Sequence, residues 1–248
     1  MDLEYSLFEG MPRQGPGSTE ATKKALAMLP NFSQFETILD VGCGTGAQTL
    51  ALAGSINCRI IAVDIYQPFL DTLQKRAQQA GFHDRITTLR LDMNLLTFPN
   101  ESFDLIWSEG AIYIMGFQTA LQKFRAFLKS GGSIVFSEIC YFTSNIPAEL
   151  AAFWRSEYPA IKTLDENLNM IKQSGYRIVD HFTLSEQTWW DSYYTPLEDK
   201  VRLYENHMFS DDEIAFINTL KNEIDLFRKF GSIYGYEYFI MQPDDSIN

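Results

Sequence analysis

The sequence predicts an α/β fold with a doubly wound, mostly parallel sheet. Three observations lead to this prediction. Short apolar runs alternate with amphipathic helical segments, a glycine-rich loop joins the first run to the first helix, and an acidic residue follows each of the first four runs. Strands separated by helices indicate βαβ units with right-handed crossovers. We therefore expect helices on both faces of the sheet and a ligand site at the carboxyl ends of its strands.

The first half of the chain supplies five predicted strands, at residues 37–41, 59–63, 86–91, 103–107 and 133–139. The helix before the third strand has Pro68 in its first turn and Gly81 where it stops, as helix ends favour. Apolar residues at helical spacing also predict a helix over 117–128, which Ser130, Gly131 and Gly132 would end. A small-residue helix starts at Gly46.

The second half is less regular, but it still has a helix and strand pattern. Helices are predicted at 146–158, 163–174, 196–208 and 210–230, and strands at 176–184 and 234–241. The segment between the last two strands is long, so we interpret it as an elaboration over the sheet's carboxyl edge. The whole chain is then one domain, with a core of about 19–145, 163–184 and 232–242. Covering elements are expected at about 1–18, which contains RQGPGS, and at about 146–162 and 185–231.

Composition restricts the class of partner. The 248 residues are 46% hydrophobic, which is ample for a core, and 20 basic against 32 acidic residues give a net charge of −12. That charge disfavours nucleic acid, whose binding needs basic side chains, and an anionic membrane surface. No apolar run approaches the ~20 residues that span a bilayer. The amino terminus lacks the pattern of a signal peptide, so we expect a cytoplasmic protein.

Cysteine and histidine give no sign of metal or nucleophilic chemistry. The three cysteines (Cys43, Cys58, Cys140) have no CxxC spacing, and the three histidines (His83, His181, His207) are far apart. We predict neither a disulfide nor a metal site, and we interpret the histidines as ordinary surface or core residues. A G-x-S-x-G elbow is absent.

The glycine loop Asp40-Val-Gly-Cys-Gly-Thr-Gly-Ala47 has two interpretations. Its spacing fits the loose dinucleotide pattern, and Asp64 after the second strand fits the acidic ribose ligand of NAD enzymes. However, Asp40 directly precedes the glycines and would repel a pyrophosphate. Asp40, Asp64, Asp92 and Glu109 together favour a cationic, phosphate-free ligand such as S-adenosylmethionine (SAM).

Five motifs, which cover about half of the chain, resemble those of the class I SAM-dependent methyltransferases. They are ILDVGCGTG (38–46), AVDIYQPFL (62–70), LRLDMNLLTFP (89–99), SFDLIWSEGAIYIMG (102–116) and LKSGGSIVFSEI (128–139). The chain is similar to the small-molecule group that contains the ubiquinone/menaquinone-type enzymes. The resemblance implies a Rossmann-like sheet of seven strands with the last antiparallel, SAM as cofactor, and a small-molecule acceptor.

The resemblance also implies roles for individual residues. The glycine loop would wrap the methionine part of SAM, Asp64 would bind the ribose hydroxyls, and Asp92 and Met93 would lie by the adenine. The segment 108–113 would face the sulfonium. The implied cofactor-binding residues are Asp40, Gly42, Cys43, Gly44, Gly46, Asp64, Ile65, Asp92, Met93 and Glu109.

Methyl transfer is an in-line displacement with a neutral thioether as leaving group, so alignment supplies much of the catalysis. A base is needed only where the nucleophile must lose a proton, and Glu109 is the candidate by position; its other role would be to orient the cofactor's ammonium. The candidate substrate contacts are Tyr113, Trp189, Trp190 and Tyr193. Two alternatives stay open: a non-catalytic SAM-binding protein and an NAD-type oxidoreductase. The oligomeric state is open as well, since the aromatic second half is able to bury a homodimer face.

Overall fold

A computed structural model of the chain describes residues 3–204 and 210–244. Two of the sequence predictions, concerning His207 and the end of the helix expected at 196–208, lie outside these residues.

The sheet is mixed, with strand order β3-β2-β1-β4-β5-β8-β7. β8 is antiparallel to both β5 and β7, and the other pairs are parallel, so the predicted antiparallel last strand is confirmed. A two-residue strand, β6, which the sequence did not predict, pairs with β5. The strands are β1 (Thr37–Val41), β2 (Arg59–Asp64), β3 (Ile86–Arg90), β4 (Phe103–Glu109), β5 (Leu128–Tyr141), β6 (Lys162–Thr163), β7 (Tyr176–Thr183) and β8 (Tyr234–Pro243).

Helices cover both faces of this sheet. They are α1 (Leu3–Ser6), α2 (Thr19–Ala27), α3 (Ala47–Ser55), α4 (Gln67–Ala80), α5 (Phe117–Arg125), α6 (Ala148–Glu157), α7 (Leu164–Gln173), α8 (Glu186–Trp189), α9 (Thr195–Tyr204) and α10 (Asp211–Phe230). A turn of π-helix, Trp190–Tyr194, joins α8 to α9. Within the described ranges, no helix has the length and apolar character needed to cross a membrane.

Alternation along β1 shows how the sheet separates two apolar layers. Ile38 is buried in the layer that contains α2 and α3, whereas Leu39 and Val41 are buried in the layer that contains α5 and α7. Successive side chains of a strand point to opposite faces. Asp40 therefore lies on the same face as Ile38, against α3.

Two predicted boundaries were wrong. α5 ends at Arg125 and not at 128, and Ser130, Gly131 and Gly132 belong to β5. The register between β4 and β5 shifts there, since Phe103 pairs with Leu128 but Leu105 pairs with Ser133. The extra residues bulge out of the ladder, and glycine tolerates the required backbone.

The helical stretch from α8 to the start of α9 was not predicted. Its aromatic sequence has modest helix propensity, and the helix forms because tertiary packing buries Trp189 and Tyr194 against α10. Ser185 caps its start by accepting a hydrogen bond from the backbone N–H of Thr188.

Candidate functional site

A cavity of about 670 Å³ lies where the carboxyl ends of β1, β2, β4 and β5 meet the helical cover. Its volume falls in the range of small-molecule sites. One end is bounded by the glycine loop and the loops after β2 and β3, and we name it the cofactor edge: Gly42, Cys43, Gly44, Asp64, Ile65, Asp92 and Met93. The other end is bounded by α6, α8, α10 and β8.

The glycine loop requires glycine at two positions of the cavity wall. Gly42 has φ +71°, and a Cβ there would lie 2.4 Å from the Cβ of Ala111. Gly44 has φ +53°, and a Cβ there would lie 2.5 Å from Oε1 of Gln14. Both positions combine a left-handed backbone with a close approach, so the loop presents bare main chain to the cavity.

Asp64, at the end of β2, lies directly against this loop. Its Oδ2 accepts a hydrogen bond from the N–H of Gly44 and its Oδ1 one from the N–H of Tyr66, both at 2.9 Å. Burial raises the pKa of Asp64, and these hydrogen bonds oppose that rise. Each carboxylate oxygen has a further lone pair. The half-buried side chain can therefore accept hydrogen bonds from a diol in the cavity.

The loop after β3 forms the adjacent wall. Asp92 caps a short 3-10 turn and its Oδ1 accepts hydrogen bonds from the backbone and side chain of Asn94, at 2.8 and 3.0 Å. The buried Met93 and the half-exposed Ile65 supply apolar surface beside it. A flat heterocycle with a hydrogen-bond donor fits between such walls.

Asp40 and Gly46 do not line the cavity, and their predicted contact with the cofactor stays a prediction. The carboxylate of Asp40 is fully buried and accepts hydrogen bonds from Thr49 Oγ1 at 2.5 Å and from Gln48 Nε2 at 3.3 Å. Strand alternation turns it toward α3. Burial raises the pKa of Asp40 to about 7. Gly46 packs against Leu73 of α4.

It is therefore Asp64, and not Asp40, that places a carboxylate beside the glycine loop. A pyrophosphate on this loop would be repelled by the negative charge of Asp64, which already accepts a hydrogen bond from Gly44 N–H. The electrostatic argument against a dinucleotide therefore still holds, but it rests on Asp64 and not on Asp40.

Both oxygens of Glu109 have partners. Oε2 lies 2.7 Å from Arg13 Nη1, and Oε1 accepts hydrogen bonds from Thr22 Oγ1 at 2.7 Å and Trp107 Nε1 at 3.0 Å. The side chain is 3% exposed. Its predicted roles as base or as ammonium ligand stay predictions, and the geometry gives it a further role: it anchors the amino-terminal segment to β4.

That amino-terminal segment, residues 3–18, crosses the cofactor edge. Gln14 accepts a hydrogen bond from the backbone N–H of Thr45 at 2.8 Å, and Arg76 donates to the carbonyls of Met11 and Pro12. Sequence reasoning noted RQGPGS but assigned it no contacts; Arg13 and Gln14 are the residues it missed.

The aromatic end of the cavity includes some of the predicted substrate contacts. Trp189 and Tyr193 line it and are buried, and Tyr113 lines it with 47% of its surface exposed. Trp190 does not line the cavity; its ring packs on Tyr194 and under the guanidinium of Arg228. The helix turns the ring of Trp190 away from the cavity, and its predicted substrate contact stays a prediction.

Several cavity residues at this end carry no sequence motif. They come from α6, α10 and β8, and include Trp154, Tyr158, Glu223 and Tyr236. Tyr236 reaches from this end of the cavity to the loop after β4. A Cβ placed on Gly110 of that loop would lie only 2.9 Å from the Tyr236 hydroxyl. A single carboxylate among predicted helices gives no signal, so sequence reasoning could not select Glu223.

All three cysteines are free and buried. Burial raises the pKa of each thiol, and Cys43, which lines the cavity, also lies near Asp40 and Asp64. In the described part of the chain, no group of three or more His, Cys, Asp or Glu side chains could hold a metal ion.

Comparison with known proteins gives a consistent result. Residues 38–132 match the family model of a methyltransferase domain. A SAM-dependent methyltransferase from Geobacter sulfurreducens, crystallised with S-adenosylhomocysteine, superposes with a TM-score of 0.82 at 19% identity, over 98% of both chains. A [4+2]-cyclase superposes with a TM-score of 0.76 at 18% identity, over 97% of this chain and 92% of that one.

Among sequence relatives, phosphoethanolamine N-methyltransferase 1 of Zea mays is 21% identical over 99% of this chain. The chain spans 43% of that relative's length. An uncharacterised protein of Haemophilus influenzae is 25% identical over 70% of this chain and 71% of its own length. The narrower resemblance to ubiquinone/menaquinone-type enzymes is not tested by these proteins and stays a prediction.

Proposed function

We propose that this chain, a SAM-dependent methyltransferase of the class I fold, transfers the methyl group of SAM to a small-molecule acceptor in the cavity described above. The observation that carries the proposal is the cofactor edge. There a glycine loop with bare main chain faces Asp64, with Asp92 and Met93 on the adjoining loop. These residues fit SAM, because they offer hydrogen-bond acceptors for a diol and apolar walls for a heterocycle, and no cation for a pyrophosphate.

SAM supplies a methyl group that is activated by a positively charged sulfur. The chain itself contributes by binding SAM and the acceptor and by enclosing both. Asp64 would hold the ribose diol through its remaining lone pairs, and the main chain of Gly42 and Gly44 would support the amino-acid part. Alignment of nucleophile and methyl group can supply up to ~7–11 kcal/mol of the barrier reduction.

The covering elements lie over the cavity and would limit the access of water to it. The amino-terminal segment is tied to the sheet by Arg13 and Glu109, and to the helical cover by a hydrogen bond of 3.3 Å from Gly17 N to Ser192 Oγ. A dry cavity disfavours a localised charge, and the charge on sulfur disappears as the methyl group leaves. We further propose that the chain is one domain with these elements as its cover. We also propose that its partner is a small molecule, not nucleic acid or a membrane, and leave a homodimer open.

The test measures binding and turnover together. Calorimetry should show that S-adenosylhomocysteine binds and that NADH does not, and SAM with a mixture of small metabolites should yield S-adenosylhomocysteine. Equal binding of NADH and S-adenosylhomocysteine would contradict the proposal. Tight binding without any turnover would leave a SAM-binding protein as the better description.

A further inference from the structure

We propose that the acceptor is a small amine that enters as its ammonium ion and carries no phosphate or carboxylate group. This inference rests on the proposed function, and concerns the end of the cavity opposite the cofactor edge. We name that end the acceptor chamber and define it by Tyr113, Tyr158, Trp189, Tyr193, Glu223 and Tyr236.

The charges on the cavity wall are unequal. Among the described residues that line it, Arg13 is the only basic side chain, and Glu109 neutralises it at 2.7 Å. Five acids line the same cavity: Asp64, Asp92, Glu109, Glu157 and Glu223. An acceptor with a phosphate or a carboxylate would enter this cavity without a free cation to pair with, whereas an ammonium ion would meet carboxylates.

Aromatic rings supply the remaining wall. The rings of Trp189 and Tyr236 lie 4.7 Å apart, and those of Tyr113 and Tyr158 lie 5.8 Å apart. The negatively polarised faces of such rings attract a cation, most strongly where water is excluded. The chamber therefore combines two features that each favour an organic cation.

Glu223 is the acid best placed to receive the ammonium group. Its Oε1 accepts a hydrogen bond of 2.8 Å from the Tyr194 hydroxyl, and no cation of the described chain forms a salt bridge with it. Burial raises the pKa of Glu223 to about 7, and nearby Glu157 adds to the rise. Near neutral pH the carboxylate can thus both hold a cation and take up a proton, as an efficient general base requires.

Glu138 is a further buried acid that lies behind the chamber wall, outside the cavity lining. It is 2% exposed, lies beside the Tyr158 hydroxyl, and its oxygens have no hydrogen bond of ordinary geometry among the described residues. Burial raises the pKa of Glu138 to about 8. Burial thus favours the neutral form of Glu138 near pH 7.

The reaction step balances with these groups alone. The ammonium ion gives its proton to the Glu223 carboxylate, and the freed nitrogen lone pair forms the new N–C bond. The S–C bond breaks at the same time and its electron pair stays on sulfur. The products are the methylated ammonium ion, which carries the positive charge that leaves sulfur, a neutral thioether and protonated Glu223, which returns its proton to solvent when the chamber opens.

The test compares probes that differ only in their head group. With the protein saturated by S-adenosylhomocysteine, calorimetry measures the binding of 2-phenylethylamine, 2-phenylethanol and 3-phenylpropanoate, and of the corresponding propyl and indolylethyl sets. In at least one set the amine should bind roughly tenfold or more tightly than the alcohol, and the carboxylate should bind most weakly. If no set shows an amine preference, the inference is overturned.

A variant locates the preference. Glu223→Gln keeps the acceptor for the Tyr194 hydroxyl but removes the charge, so the amine should bind roughly tenfold more weakly and the alcohol unchanged. The matched control is Asp225→Asn, which makes the same change on an exposed face of α10 and should alter neither affinity. An equal loss for amine and alcohol would assign Glu223 a packing role and overturn the inference.

Failure of the inference can be told from failure of the proposed function. If S-adenosylhomocysteine does not bind, the proposed function fails first. If it binds and the alcohols or carboxylates are preferred over the amines, only the substrate class is wrong.

Discussion

The cofactor edge and the acceptor chamber share one cavity, but they are built in different ways. The cofactor edge is made of loops that directly follow β1, β2 and β3, with main-chain N–H groups and the short side chains of Asp64 and Asp92. The acceptor chamber is made of long side chains from α8, α10, β8 and the turns that follow β4, α6 and α8. The first depends on backbone geometry, and the second depends on packing between distant parts of the chain.

This difference indicates how each end can vary. A change at the cofactor edge disturbs a turn that has no room for a Cβ, so few substitutions are compatible with it. A change of one ring in the acceptor chamber alters the shape and charge that an acceptor meets, while the turn stays intact. The same fold can thus serve several reactions, as the superposition with a [4+2]-cyclase illustrates.

The largest expected effect is the loss of affinity for S-adenosylhomocysteine when the cofactor edge is altered. Asp64→Ala removes a carboxylate that offers charge-assisted hydrogen bonds, worth ~1.5–3 kcal/mol each. Affinity for S-adenosylhomocysteine should fall by roughly 10–1000-fold in calorimetry, with the thermal unfolding transition retained. Asp71→Ala, an exposed carboxylate of α4, is the control and should leave the affinity unchanged. Unaltered binding in Asp64→Ala would remove this residue from the cofactor site.

The next effect concerns the pH dependence of stability, to which the buried Glu138 behind the acceptor chamber contributes. The folded chain raises the pKa of Glu138 to about 8 from an ordinary value of 4.5, so between these values the folded state binds a proton that the unfolded state has released. The free energy of unfolding should therefore fall as pH rises from about 5 to 8. At about 1.4 kcal/mol per pKa unit, Glu138→Gln should remove a part of that fall on the order of a few kcal/mol.

Urea unfolding at several pH values measures this slope. Glu20→Gln changes an exposed carboxylate of α2 and should keep the slope of the parent protein. A Glu138→Gln variant whose stability falls as steeply as that of the parent would show that Glu138 does not titrate in this range.

The smallest effect concerns the hydrogen bond between Gly17 and Ser192, which ties the amino-terminal segment to the helical cover and which we call the joint. Ser192→Ala removes the acceptor of the hydrogen bond from Gly17 N–H, a loss of ~0.5–1.5 kcal/mol. Limited proteolysis within residues 3–18 should become several-fold faster, with global stability nearly unchanged. Ser55→Ala is matched, since both serines donate to the carbonyl four residues earlier, but Ser55 lies in α3 away from the joint. Equal cleavage rates in the two variants would show that the joint does not hold the segment.

The sequence could predict the cofactor edge because its signals are local. Glycines at fixed spacing after a strand need a left-handed backbone, and acids at strand ends meet at one edge of a parallel sheet. Asp40 shows the limit of this reasoning: its position along the chain was clear, but the face of β1 on which it lies depends on the pleat. The alternation of side chains along the strand sets this face, as the burial of Ile38 and Leu39 on opposite sides of the sheet shows.

Only part of the acceptor chamber could be anticipated from the sequence, namely Tyr113, Trp189 and Tyr193. Glu223, Tyr236 and Trp154 are separated along the chain and are brought together only by packing of α6 and α10 over β8. The helix that carries Trp189 and Tyr193 forms against its own propensity, so the face that each ring takes was not accessible either. The position of Glu109 at the end of β4 could be read from the sequence, but its salt bridge could not, because it joins positions 96 residues apart.

The three buried thiols have a practical consequence. Because Cys43, Cys58 and Cys140 are enclosed and their pKa values are raised, the native protein should resist alkylating reagents. Their labelling rates therefore report on opening of the fold. Cys43, which lines the cavity, would report local opening at the cofactor edge. Cys140, on a central strand of the sheet, would react only after global unfolding.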